Sequence, residues 1–318
     1  MDLLDRLDPD VAEVVRVLPP LDLHDIPTAR RVMLQMLAAI DPPAQRPCVN
    51  REDHFAPGLR GAPEVRVRLY RPTGALGVLP CLYWIHGGGY VLGEMEQDDA
   101  LMENMVATLG CAAVSVEWRL APENSYPAPM EDCYAGLTWT AKNAARFDID
   151  PGRIAVAGAS SGGGSAAGLA LLARDRGQVK VGYQLLIYPM LDDRNLTPSS
   201  KAITDARVWN RESNLIGWRS YLGDRAGGRD VPPYAAPSRA TNLNDLPPTF
   251  IAVGELDLFL DEDIDYAQRL LQARVPTELH VYAGAPHGFD RLAPNAAVSQ
   301  RFERDRVEAL RRAFQPDR

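Results

Sequence analysis

The sequence predicts an α/β fold in which a mostly parallel central sheet is flanked by helices and carries a helical cap. Three observations lead there. From residue 65 onward, short apolar runs alternate with segments of helical spacing. Several of those runs are almost continuously hydrophobic, as strands covered on both faces are. Two stretches, residues 1–45 and 191–246, stand outside the alternation and are read as the cap.

Composition bounds the function classes. The chain has 318 residues, 46% of them hydrophobic, enough for one large domain with insertions. Its 34 Lys+Arg against 42 Asp+Glu leave a net charge of -8, and no basic run of five occurs. A nucleic-acid partner is therefore not expected. The four cysteines, Cys48, Cys81, Cys111 and Cys133, make no C-x-x-C pair, so neither a zinc site nor a disulfide framework is indicated. Cys81 and Cys111 lie beside strand-like runs and are expected to be buried thiols. The opening "MDLLDRLDPD" lacks the features of a signal peptide, and no stretch of about 20 apolar residues is present. The expectation is a cytoplasmic protein without stable membrane association.

Each element follows from local chemistry. "DPDVAEVVRVL" begins with an Asp cap, and "IPTARRVMLQMLAAI" has apolar residues at helical spacing. The proline-rich "DPPAQRPCV" then breaks the pattern. Strands are predicted at "EVRVRLYRP", "LPCLYWIHG", "CAAVSVEWR", "RIAVAG", "KVGYQLLIYP", "PTFIAVGE" and "TELHVYAG", and helices over 98–109, 129–146, 162–175, 262–273 and 296–314. Residues 191–246 are too long and irregular for an ordinary crossover, and their tryptophans and tyrosines mark an insertion that packs on something. The expected division is 1–45 and 191–246 for the cap, 46–190 and 247–318 for the core.

The chemistry centres on Gly158-Ala159-Ser160-Ser161-Gly162, between the strand "RIAVAG" and an alanine-rich helix. The pattern G-x-S-x-G in that setting is a nucleophile elbow, a sharp turn that presents a serine at the carboxyl edge of a sheet. Glycines on either side remove side chains that would collide with neighbouring elements. A phosphate loop is the rival reading, but G-x-G-x-x-G does not fit and no G-K-[ST] follows, so no cofactor is expected. A second glycine cluster, "WIHGGGY" at residues 84–90, ends another strand and exposes backbone N–H groups suited to an oxyanion. His86 within it is read as a structural hydrogen-bonding residue.

A serine nucleophile needs a base. His287, in the loop "GAPHGF" after the last strand, is in position to reach it. His280 reads as a strand residue, and His24 and His54 precede the core. Asp257, after "PTFIAVGE", is favoured as the acid that orients the base, while Asp192 or Asp193 after "LLIYPM" remains a rival. Asp261, Glu262 and Asp263 are read as acidic residues favouring the start of the next helix. The order Ser160, Asp257, His287 matches one of the known orders of the serine triad.

In the order "HGGGYVLG", "VEWRLAPENSYPAP", "GASSGGG", "GELDLFLDED" and "HGF", the chain resembles the bacterial hormone-sensitive-lipase-like esterases of the α/β-hydrolase fold. The likeness runs from about residue 65 to the end, and the two N-terminal helices resemble that family's cap. "YAAPSRATNLNDLPPTF" is similar to the branch that includes a bacterial heroin esterase. The resemblance implies Ser160 as nucleophile, His287 as general base and acid, Asp257 as its partner, and the amides of Gly88, Gly89 and Ser161 as oxyanion donors. It implies a structural role for Arg119 and Glu123 in "RLAPE". Where the family often has Asp-Ser-Ala, this chain has Ala159-Ser160-Ser161; a backbone donor survives that exchange.

The expected activity is hydrolysis of carboxylic esters of short to medium acyl chain through an acyl-enzyme, without cofactor or metal. The expected partner is a small-molecule ester, and the reading leaves room for a homodimer. An amidase or lactonase on the same triad is the alternative. A non-catalytic receptor of the same fold is the contrasting class, and the presence of His287 speaks against it.

Overall fold

The computed structural model describes residues 3–40 and 46–315; residues 41–45, part of the proline-rich connector, lie outside them. Two helices lead, α1 (Pro9–Val17) and α2 (Ile26–Ile40). The strands are β1 (Val49–Ala56), β2 (Val65–Pro72), β3 (Leu79–Ile85), β4 (Ala112–Val116), β5 (Ile149–Ala159), β6 (Tyr183–Ile187), β7 (Thr249–Leu256) and β8 (Thr277–Pro286). Between and after them run α3 (Asp99–Leu109), α4 (Ala128–Lys142), α5 (Ser161–Arg176), α6 (Pro198–Ala202), α7 (Arg211–Leu222), α8 (Leu260–Gln272), α9 (Phe289–Leu292) and α10 (Ala297–Ala313).

One sheet takes all eight strands in the order β1-β2-β4-β3-β5-β6-β7-β8. From β4 to β8 every pairing is parallel, while β2 runs antiparallel to both β1 and β4. β4 is buried at every position, and β3 and β6 at all but their first residue. That burial is the reason these strands read as nearly continuous apolar runs in the sequence. Cys81 and Cys111 are buried thiols, as expected, and Cys133 is a third.

β1 is a strand that the apolar pattern does not signal. Its sequence "VNREDHFA" buries only Val49 and Ala56, because it is the sheet edge and faces charged neighbours. Asp53 on β1 takes both Arg68 Nε and Nη2 from β2, at 2.6 and 2.9 Å. Charges on an edge strand also discourage pairing with another chain.

Local caps explain the helices outside the α/β alternation. The Asp8 carboxylate accepts from the Asp10 N–H at 3.1 Å and Pro9 opens α1, whose Val11, Ala12 and Val15 are buried. Within the irregular stretch 191–246, Thr197 caps α6 by accepting from the Ser200 N–H, and Asn210 caps α7 by accepting from the Ser213 N–H. Trp209, Trp218 and Tyr221 of this stretch are all buried.

The acidic residues at the head of α8 differ from expectation. Asp261, Glu262 and Asp263 do occupy its first turn, but Glu262 and Asp263 turn inward. Glu262 Oε1 accepts the N–H groups of Leu191 and Asp192, at 2.7 and 3.1 Å, and so ties the chain after β6 to α8. No helix among the described residues is long and apolar enough to cross a membrane.

Candidate active site

The parallel strands end on one edge, and three loops meet there. The first joins β5 to α5. Ser160 sits between them with φ 58° and ψ -125°, a strained backbone for a residue with a side chain. Its N–H donates to the Ile187 carbonyl at 2.9 Å, and its own carbonyl accepts from Met190 and Gly164. The flanking glycines are needed for space. A Cβ on Gly158 would stand 2.3 Å from the Gly162 carbonyl oxygen, and one on Gly162 would stand 2.1 Å from that of Ile85.

The second loop follows β7 and carries Asp257; the third follows β8 and carries His287. His287 Nδ1 lies 2.7 Å from Asp257 Oδ2, and His287 Nε2 lies 2.9 Å from Ser160 Oγ. The carboxylate has no proton to give, so it accepts from Nδ1–H, which leaves Nε2 free to accept from the serine hydroxyl. The second oxygen of Asp257 accepts the Phe259 N–H at 3.0 Å. Asp257 is 1% exposed, so its charge meets His287 with little screening. The Tyr188 and Phe259 rings meet the imidazole edge-on, at centroid distances of 4.7 and 5.1 Å.

The rival acids are committed elsewhere. Asp192 holds Arg194 through both oxygens, at 2.7 Å each. Asp193 holds Arg239 and accepts the Gly227 N–H at 2.7 Å, pinning two points of the 191–246 stretch. His86 is buried, stacks on Trp118 at 4.7 Å and has Nδ1 against the Gly87 carbonyl. Arg119 grips Asp132 through two guanidinium nitrogens, at 2.7 Å each, while Glu123 pairs with Arg30 of α2.

Gly88 and Gly89, with φ of 132° and 60°, form the loop beside Ser160, and Ser161 opens α5. The first N–H groups of a helix have no partner within it, so the Ser161 amide is available at the edge where Ser160 stands. Gly88, Gly89 and Ser160 border a cavity of about 210 Å³. Its other walls come from Leu18, Leu21, Val32 and Met33 of the N-terminal segment and from Trp209 of the 191–246 stretch. Sequence reasoning placed no role on Tyr188 or Arg291, which also line it. The Tyr188 hydroxyl donates to Asp290 at 2.8 Å; its position directly after β6, at the same carboxyl edge as the elbow, was the available signal. Arg291 donates to Asp98. Burial opposes its charge, and Asp98, together with Tyr188 and Asp290, more than compensates, holding the guanidinium above its ordinary pKa. A wider cleft of about 780 Å³ lies at the opposite edge of the sheet, between Asp150 and Phe314, away from this cluster.

Residues 82–291 match a family described as alpha/beta hydrolase fold. A carboxylesterase of Mycobacterium tuberculosis, NlhH, is 34% identical over 86% of this chain and 86% of its own. An esterase of the same organism, LipI, is 39% identical over 66% of this chain and 65% of its own, so the chain spans just under two thirds of that relative. Among solved structures, a bacterial heroin esterase superposes with a TM-score of 0.96 and 43% identity, covering 99% of this chain and all of that one. On these matches the chain belongs to the α/β-hydrolase-fold family and stands among its carboxylic ester hydrolases.

Proposed function

We propose that the protein hydrolyses small carboxylic esters of short to medium acyl chain through an acyl-enzyme formed on Ser160. The observation that carries this reading is the continuous chain from Ser160 Oγ through His287 to Asp257, at 2.9 and 2.7 Å. His287 Nε2 takes the serine proton as Oγ bonds to the ester carbonyl carbon, and the carbonyl electron pair moves to oxygen. The amides of Gly88, Gly89 and Ser161 receive that oxyanion. Asp257 steadies the imidazolium without itself taking the proton. As the tetrahedral intermediate collapses, His287 returns the proton to the leaving alcohol. It then takes a proton from water as the water oxygen bonds to the acyl carbon. When the bond from that carbon to Ser160 Oγ breaks, His287 gives the proton to Oγ and the carboxylic acid leaves.

Residues 1–45 and 191–246 act in this reading as the cap, since both supply apolar walls to the cavity that holds Ser160. Cytoplasmic residence belongs to the same reading, supported by four unpaired cysteines, three of them buried.

The test is Ser160→Ala with p-nitrophenyl butyrate. Turnover is expected to vanish while the melting temperature stays close to wild type, and a fluorophosphonate should label wild-type protein once, at Ser160. A stoichiometric adduct on a different serine would remove Ser160 from this role.

A further inference from the structure

Helix α7 lies against the glycine loop beside Ser160, and three contacts define that approach. Gly217, in the middle of α7, has no side chain where one would collide: a Cβ there would sit 2.7 Å from the Gly89 carbonyl oxygen. Trp209, just before α7, covers the other side of the same residue; a Cβ on Gly89 would sit 2.0 Å from Trp209 Cη2. One residue further on, the Tyr90 ring stacks on Tyr221 of α7 at 3.9 Å with 4° between planes, and Trp218 closes in at 5.2 Å. Tyr90 itself is held at φ 68°. Glycine is a poor helix former, and α7 is otherwise capped and regular, so the close backbone approach is the physical reason for a glycine at 217.

We infer that α7, through Gly217, is a positioning element for the oxyanion donors. The Gly89 carbonyl and the Gly89 N–H belong to consecutive peptide planes that share one Cα. A push on the carbonyl therefore turns the residue and re-aims its amide. Oxyanion donors stabilise the transition state only when directed at the position the oxygen will occupy, in advance of reaction. The 191–246 stretch thus sets catalytic rate as well as cavity shape. This inference rests on the proposed role of the Gly88 and Gly89 amides.

The experiment is Gly217→Ala, assayed beside wild type with p-nitrophenyl butyrate. The added methyl should lower kcat by roughly 10- to 100-fold, with KM within about twofold because the apolar walls are untouched. The inhibitor 1,1,1-trifluoroheptan-2-one adds a second readout. Ser160 Oγ bonds to its carbonyl carbon, the proton passes to His287 and the oxyanion fills the hole, so its affinity should fall in parallel with kcat/KM. The pH profile should keep its shape, since the Ser160–His287–Asp257 chain is not disturbed. A rise in KM with unchanged kcat and unchanged inhibitor affinity overturns the inference and makes Gly217 a packing residue of the cavity wall. Should the variant fail to fold, Tyr221→Leu decides: it adds no atoms to the interface, and losing the stack on Tyr90 should lower kcat by roughly 3- to 10-fold with the same split. Unchanged kcat there overturns the inference equally. An inactive wild type overturns the ester-hydrolase reading itself, which separates that failure from one confined to Gly217.

Discussion

Arg30 of α2 donates from Nε to the carbonyl of Val91, two residues past the glycine loop, at 2.7 Å. The same guanidinium reaches the Ala121 carbonyl at 2.9 Å and both oxygens of Glu123. One side chain thus fastens the N-terminal segment to two loops of the core. Leu21 adds a backbone tie by donating to the Ala206 carbonyl at 2.8 Å.

That clasp is testable by Arg30→Ala. Four hydrogen bonds from a half-shielded charge are lost, and a loss of about 1–3 kcal/mol is expected, seen as a lower melting temperature. The Arg30 hydrogen bonds hold the Glu123 carboxyl below its ordinary pKa. Its contribution is therefore complete above the unfolded value near about 4.3 and is lost as pH falls through the lower folded value. The gap between wild type and Arg30→Ala should narrow in acid and stay partly open, because the two carbonyl contacts do not titrate. A gap that widens in acid would contradict the pairing.

Asp257→Asn tests the acid. An asparagine at 257 can present an N–H to Nδ1 and favour the tautomer that leaves Nε2 protonated and unable to accept from Ser160. The expected cost is on the order of 10⁴ in kcat, with folding intact. Asp192→Asn should be mild in rate. Asp193→Asn should act on stability, since the Asp193–Arg239 pair is buried on the acid side and breaking a buried pair costs about 3–5 kcal/mol. The opposite ranking of kcat losses, in folded variants, would move the orienting acid to the residues after β6.

Asp263→Asn reports on a charge that the protein interior does not accommodate. Asp263 is fully buried, with no protein partner on either carboxylate oxygen. Burial, then the nearby Glu262 and Asp257, push its pKa well above the ordinary value. The folded residue holds its proton to higher pH than the unfolded one, so between the two values folding takes up a proton and stability falls as pH rises. Asparagine has a similar shape without the titration. In urea unfolding the variant should be more stable than wild type at pH 7.5, and the advantage should shrink toward pH 4. A pH-independent difference would mean the carboxyl is ionised in place.

The parts of this molecule that are legible in sequence are those whose signals are local. Ser160, Asp257 and His287 each follow directly on a strand, so strand recognition alone brings them to one edge. β1 was hidden because an edge strand next to Arg68 carries charges where interior strands carry valines. Trp209 was legible as a packing residue of the 191–246 stretch, but its partner, like the need for a glycine at 217, was hidden for another reason. Gly89 lies more than a hundred residues earlier, and nothing in their own neighbourhood says where the stretch folds back. Glu262 and Asp263 show the limit of helix-end reasoning, since the same first-turn position serves a solvated acid or a buried one.

Acyl-chain profiling tests the roof of the cavity. The cavity that holds Ser160 has walls from Leu18, Leu21, Val32 and Met33 of the N-terminal segment and from Trp209 of the 191–246 stretch. The N-terminal segment is held by Arg30 at the core and by Leu21 at Ala206, so it does not swing free to admit a long chain without breaking those ties. Within a fixed apolar cavity each added methylene contributes about 0.8 kcal/mol of burial until it meets the wall. Beyond that point further methylenes force strain instead of gaining burial. We therefore expect kcat/KM for p-nitrophenyl esters to rise with length, peak at roughly four to eight carbons and then fall. Because the roof is tied down, the rate should not jump when substrate passes its solubility limit. Arg30→Ala should flatten the decline at longer chains by loosening one of the ties, leaving the rate with acetate esters nearly unchanged. A profile still climbing at sixteen carbons, with a jump at the solubility limit, would identify the N-terminal segment as a mobile lid.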